Sequence, residues 1–211
     1  MITEQMLDDL RKTVSEGMSP KRFRHTAEVE KMAAYLGSLY APEKILTLRA
    51  AALLHDVTKE YTTDMQIKIC AERDISLDAD AVYAPKTLHA ITAAALIPER
   101  FSEFATDEII ECVRWHTTGR EDMTLLEKLI YLADYIDMSR TFEDCVKLRE
   151  VFMSAKPETM GERERLDHLR NTLVLSYDMT MCALLEDGLP ISTDTVRARN
   201  QLVREIIAEC K

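Results

Sequence analysis

Glycine and proline are scarce in this chain, at five and six of 211 residues. Turns are therefore few and long helices are expected, because these two residues are the main local interruptions of regular structure. No apolar run approaches the roughly 20 residues of a membrane span. The opening stretch MITEQMLDDLRK is acidic and amphipathic and lacks the apolar centre of a signal peptide. The cysteines (Cys70, Cys112, Cys145, Cys182 and Cys210) are odd in number, far apart and without a C-x-x-C. That pattern argues against a zinc knuckle or a disulfide framework and for reduced thiols in a cytoplasmic protein. Positive charge is in deficit, with 27 Lys and Arg against 37 Asp and Glu and a formal charge of −10. Broad attraction to nucleic acid or an anionic membrane is disfavoured, so an anionic substrate would need a local cluster of metal or basic side chains.

What is present is a globular composition. Hydrophobic residues make up 46 % and charged residues 30 %, which excludes general disorder. The length suits one domain, or one domain with an appendage. Apolar residues recur at helical spacing nearly throughout, and no alternating strand pattern or internal repeat stands out. A helix is expected over 21–39, with Ser19 as cap and Pro20 in the first turn. Pro42 opens a second, in which Ile45, Leu48, Ala52 and Leu53 share a face. Residues 62–73 and 86–97 read as helices separated by a loop. Another starts at the capping Thr106 and ends near Gly119, and the next runs from Thr124 with Leu125, Leu129, Leu132 and Ile136 in one stripe. After the polar break SAKPETMGERER comes a long helix stopped by Gly188 and Pro190, then a last helix capped by Thr193 or Asp194. The expected fold class is all-α: a domain over 1–150 with its core at about 18–140, and a C-terminal helical extension over 151–211 packed on it.

Five histidines occur: His25, His55, His89, His116 and His168. Four fall on or at the ends of helices in the first two thirds. His168 has charged neighbours on most sides and is expected in solvent. Asp56 follows His55 directly, and Asp134 sits inside IYLADYID with Ile130 and Leu126 on its side of the helix. A carboxylate so placed needs a partner, because an unpaired buried charge costs several kcal/mol; an Arg or Lys would serve as well as a metal. Lys59 stands three residues after Asp56, so a continuing helix or turn would aim both at one cavity. A solvated surface lysine is the alternative.

The ordered set His25, His55-Asp56, His89, His116 and Asp134, carried on successive helices, resembles the HD-domain metal-dependent phosphohydrolases. KRFRHTAEV is similar to the first-histidine segment of that family and ALLHDVTKE to its H-D-x-x-K signature. WHTTGREDMTLLEKLIYLADYIDMSR resembles one branch, the symmetrical bis(5′-nucleosyl)-tetraphosphatases, which hydrolyse diadenosine tetraphosphate to two ADP. The resemblance covers about residues 18–150. It departs from the branch where Met138-Ser139 stand in place of a Pro-Gly before Arg140.

The resemblance implies that His25, His55, Asp56 and Asp134 hold a divalent metal, with iron first and manganese, cobalt, nickel or zinc compatible with the same donors. His89 and His116 would bind phosphate oxygens or complete a second metal site. Metal-activated water would be the nucleophile, with Asp56, Lys59, His89 and His116 as the catalytic groups. Arg22, Arg140 and the loop of Thr117, Thr118 and Gly119 would join them and the metal ligands His25 and Asp134 around a nucleotide substrate, with ADP as product. A homodimer is compatible with the extra C-terminal helices. Within the same family, a phosphohydrolase of mononucleotides or of a signalling nucleotide is the alternative.

Overall fold

The computed structural model describes residues 1–77, 81 and 83–209; Cys210 lies outside them. The described residues form helices and short 3-10 turns, with no strand among them. In chain order the helices are α1 (Glu4–Glu16), α2 (Pro20–Tyr40), α3 (Ile45–Leu54), α4 (Thr63–Glu72) and α5 (Leu88–Arg100). They continue with α6 (Asp107–Trp115), α7 (Leu125–Ile136), α8 (Glu143–Ser154), α9 (Glu162–Glu186) and α10 (Thr193–Glu209). Side-chain caps open several of them as the sequence predicts. Ser19 accepts from the Arg22 N–H and Thr106 from Ile109, the two expected caps, and Thr124 caps α7 in the same way from Glu127, each satisfying one of the orphan amides of a first turn.

α3 is the axis of the molecule. Leu48 and the run Ala50–Leu54 are buried, and α1, α2, α6 and α7 pack around them. α2 approaches α3 closely enough that a Cβ on Gly37 would lie 2.9 Å from the Leu48 Cδ1. One hydrophobic cluster runs from Leu7, Leu10 and Val14 of α1, through the centre, to Leu148 and Phe152 of α8, Leu173 and Tyr177 of α9 and Leu202 of α10. Each such side chain removed from water contributes about 1.5–3 kcal/mol. The buried Glu30 of α2 accepts from Arg11 of α1 and Arg49 of α3, which ties the three helices by charge as well.

His168 differs from its expected place in solvent. Its Nε2 lies 3.0 Å from the Phe152 carbonyl oxygen, and its ring stacks on Phe152 with centroids 5.1 Å apart. The charged neighbours in sequence point elsewhere because α9 turns this one position toward α8. Among the described residues no helix is long and apolar enough to cross a membrane.

Candidate metal centre

Helix ends deliver the polar groups into this apolar bundle. His25 comes from the second turn of α2. His55, Asp56 and Lys59 lie in the turn that ends α3, His89 in the first turn of α5, His116 just past α6, and Asp134 in the last turn of α7. His55 is completely buried, and Asp56, His89 and His116 nearly so. The turn holding Lys59 is closed by its N–H donating to the Asp56 carbonyl at 3.0 Å, and both side chains reach His89 Nε2, Lys59 Nζ at 3.1 Å and Asp56 Oδ1 at 3.2 Å.

One device orients three of the histidines. The Nδ1 of His55, His89 and His116 lies 2.6, 2.8 and 2.7 Å from the carbonyl oxygen three residues earlier, on Ala52, Lys86 and Val113. A carbonyl only accepts, so Nδ1 carries the proton in each ring and Nε2 keeps the lone pair. His25 uses side chains instead: its Nδ1 is 3.3 Å from Asp137 Oδ2 and 3.1 Å from Ser139 Oγ. All four Nε2 atoms thereby face one space. Those of His25 and His55 are buried and have no hydrogen-bond partner.

The carboxylates of Asp56 and Asp134 occupy the same space. His25 Nε2 is 3.0 Å from Asp134 Oδ1 and 3.7 Å from Asp56 Oδ2. His55 Nε2 is 3.4 Å from Asp56 Oδ2 and 3.7 Å from Asp134 Oδ1. Donors about 2.1 Å from a shared ion stand roughly 3.0 Å apart at right angles and about 3.4 Å apart in a tetrahedron, and His25, His55 and Asp134 form a group able to hold a metal, with Asp56 Oδ2 3.7 and 3.4 Å from the two imidazoles. The second oxygen of Asp56 faces the other way, 3.2 Å from His89 Nε2 and 3.9 Å from His116 Nε2. Those two nitrogens are 3.0 Å apart. Asp56 thus stands between two sets of imidazoles, a bridging position. The described residues contain two such groups able to hold a metal, His25/His55/Asp134 and His55/Asp56/His116.

Electrostatics keep Asp56, Asp134, His89 and His116 in their binding forms. Burial works against the charge on Asp56, yet His55, His89 and Lys59 outweigh it and hold the carboxyl well below the usual range. Asp134 is held down in the same way, against burial, by Arg140, His25 and His55. Burial pushes His116 down to about 4 and His89 well below its ordinary value, so both are neutral at pH 7. His25 goes the other way: Asp134 and Asp137 overcome its burial and raise it to about 9. A proton and a divalent cation are alternatives at that ring.

Cations surround the carboxylates. Arg22 Nη1 is 2.7 Å from Asp56 Oδ2 and Arg140 Nη2 is 2.5 Å from Asp134 Oδ1. Lys59 Nζ lies 3.1 Å from His89 Nε2, and the Thr117 hydroxyl lies 3.2 Å from the same atom. With neutral imidazoles, three carboxylates (Asp56, Asp134 and Asp137) meet three cations (Arg22, Lys59 and Arg140). A divalent ion would leave this spot positive in a molecule whose formal charge is −10.

Two residues of the Thr117–Gly119 loop face away from the imidazoles. Thr118 is buried, and its carbonyl accepts from Thr195 of α10 at 3.0 Å. The Gly119 N–H is already donated to the Trp115 carbonyl at 2.9 Å. Gly119 has φ +65°, and a Cβ there would meet the Tyr177 hydroxyl at 2.0 Å, so this glycine makes a turn and a close approach. Asp137 and Ser139 are the participants that sequence reasoning missed. The available signal was Asp137 three residues after Asp134, the same spacing as Asp56 and Lys59; α7 stops at Ile136, and Asp137 and Ser139 sit in the turn just beyond it.

An all-α bundle whose helix ends gather imidazoles and carboxylates into a metal-binding cluster beside arginine and lysine defines a class of metal-dependent phosphohydrolase. The chain belongs to the HD domain family, whose pattern matches residues 22–139. It is similar to a protein of Halalkalibacterium halodurans named bis(5′-nucleosyl)-tetraphosphatase, symmetrical, with 30 % identity over 91 % of this chain and 94 % of the relative. A Bacillus subtilis protein of the same name is 30 % identical over 90 % of this chain and 94 % of its own length. The crystal structure of an HD superfamily hydrolase from Clostridium acetobutylicum, described as involved in NAD metabolism, superposes with a TM-score of 0.80. It is 26 % identical and covers 94 % of this chain and 97 % of that one.

Proposed function

We propose that this chain is a metal-dependent hydrolase that splits dinucleoside tetraphosphates symmetrically, taking diadenosine tetraphosphate and water to two ADP. The observation that carries the reading is Asp56, whose two oxygens face two sets of imidazole Nε2 atoms amid Arg22, Lys59 and Arg140. The names of the relatives point to the same reaction. His25, His55, Asp56 and Asp134 would hold one ion, with iron the first choice and manganese, cobalt, nickel or zinc suited to the same donors. His89 and His116 would bind phosphate oxygens when protonated at Nε2, or complete a second metal site beside the outer oxygen of Asp56. A bound divalent metal supplies an acidified water and draws off phosphate charge.

The chain's own groups do the rest. A cavity of about 420 Å³ opens beside Thr117, lined also by Tyr83, Pro85, Thr118, Leu184 and Leu189. Its size and largely apolar wall suit a nucleoside. With one nucleoside there, Lys59 and the Thr117 hydroxyl donate to the two nearest phosphates, and the Nε2 lone pairs of His89 and His116 would reach them through a second ion. The central bridge then falls over Asp56. Asp56 Oδ1 accepts a hydrogen bond from the attacking water, which adds to the second phosphorus in line. The bridging P–O bond breaks and the other ADP leaves, its charge met by Arg140 and Arg22. Cys70, Cys112 and Cys145 are buried free thiols, which supports a reducing, cytoplasmic setting.

Early-time chromatography with diadenosine tetraphosphate tests the reaction. Two ADP per substrate are expected, with oxygen from labelled water in the terminal phosphate of one. ATP and AMP in equal amounts would overturn the symmetric assignment, and hydrolysis of mononucleotides alone would favour the alternative phosphohydrolase.

A further inference from the structure

The cluster has two unlike ends. Its rings follow one another from His25 to His55 to His116 to His89, with centroid steps of 5.5, 4.9 and 4.9 Å. The His89 end meets Thr117 and the cavity. The His25 end meets the segment from Asp137 to Arg140, where Ser139 and Asp137 contact the ring and Arg140 pairs with Asp134. That segment is built rigidly. Asp137 accepts from the Ser139 N–H at 2.7 Å, and Arg149 of α8 donates to the carbonyls of Asp137 and Arg140. Within it and just beyond it, two large apolar side chains stand in solvent: Met138 at 63 % and Phe142, the residue before α8, at 72 % exposed. No packing role accounts for them, and both backbones are held, Met138 within that turn and Phe142 by its carbonyl accepting from the Val146 N–H at 3.0 Å, which lowers the cost of presenting them to a ligand.

We propose that Phe142, with Met138 four residues before it, is the platform on which the second, departing nucleoside of the substrate stacks. The inference rests on the proposed reaction and extends it to the half of the substrate that the cavity leaves unclaimed. If one nucleoside fills the cavity and the central phosphates lie over Asp56, the remaining nucleoside emerges at the His25 end, past Arg140. An open aromatic rim binds a base by its face without sequence-like selectivity. It also lets that half leave as ADP while the other half is still held, which a second closed pocket would hinder.

The test compares ligands that differ only in the second nucleoside. In Phe142→Ala the KM for diadenosine tetraphosphate should rise about tenfold, the scale of a lost base–aromatic stack, and Phe142→Trp should restore it. The inhibition constant of adenosine 5′-tetraphosphate, which has one nucleoside, should stay within twofold in both variants. Because the side chain is in solvent, the melting temperature should not move. An unchanged KM in Phe142→Ala, or an equal shift for both ligands, overturns the platform while leaving the reaction standing. A wild-type protein that does not split the dinucleotide overturns the reaction, and the platform with it.

Discussion

At the residue scale, binding competence here is a matter of which nitrogen holds the proton. The carbonyls of Ala52, Lys86 and Val113 fix Nδ1–H on three rings, and Ser139 Oγ together with the Asp137 carboxylate does so for His25. Two kinds of substitution separate the ligands from their supports. In His55→Ala the bound metal and the turnover should both disappear while the helical CD spectrum persists, whereas His116→Ala should keep most of the first ion and lose most of the rate. Elemental analysis beside the assay distinguishes them, and a metal-free, folded His116→Ala protein would move this ring into the first site. Asp137→Asn acts through His25. It keeps the shape but weakens the acceptor at Nδ1, and outer partners of this kind are worth about 10- to 100-fold in metal affinity. Titration of the metal-free protein should show that loss, with wild-type affinity speaking against any orienting role for Asp137.

At the scale of elements, the site depends on where helices stop. α7 ends at Ile136, and the turn beyond it is made by Asp137 accepting from Ser139, the job for which a Pro-Gly would otherwise be suited. α6 ends at Trp115 with His116 just past it, and the chain reverses at Gly119 with φ +65°. A side chain at that glycine meets both a left-handed backbone and the Tyr177 hydroxyl. Gly119→Ala should therefore cost at least about 2 kcal/mol from conformational strain and overpacking together. Denaturant unfolding would read this, and a stability equal to wild type would mean that α9 yields easily. The expected loss of activity follows from Thr117 moving off His89, since the Gly119 N–H has no bond to spare for a phosphate.

For the whole molecule, the first and last helices belong to the same core as the residues between them. Leu202 of α10 and Tyr177 of α9 are buried with Leu129 and Ile130 of α7, and Thr195 of α10 bonds the Thr118 carbonyl at 3.0 Å. Leu184 and Leu189 also wall the cavity next to Thr117. Removing residues 187–211 should accordingly lower the melting temperature by several degrees and raise KM, because about 1.5–3 kcal/mol per buried large side chain is lost along with the wall. Calorimetry and steady-state kinetics on the truncated chain check the two effects. A truncated protein with wild-type KM would detach the cavity from substrate binding.

The helices and the ordered donors were legible in the sequence because both are written locally. Ser19, Thr106 and Thr124 cap where they stand, periodicity follows from 3.6 residues per turn, and a histidine bonding the carbonyl three residues back needs only its own helix end. What tertiary structure decided lies between distant segments. Asp137 reaches His25 only because α7 stops one residue before it and packs on α2. His168 leaves solvent because α9 lies along α8. Asp56 divides its two oxygens between His25 and His55 on one side and His89 and His116 on the other. No spacing along a chain encodes that division, since it depends on how helix ends from different parts of the chain meet in space.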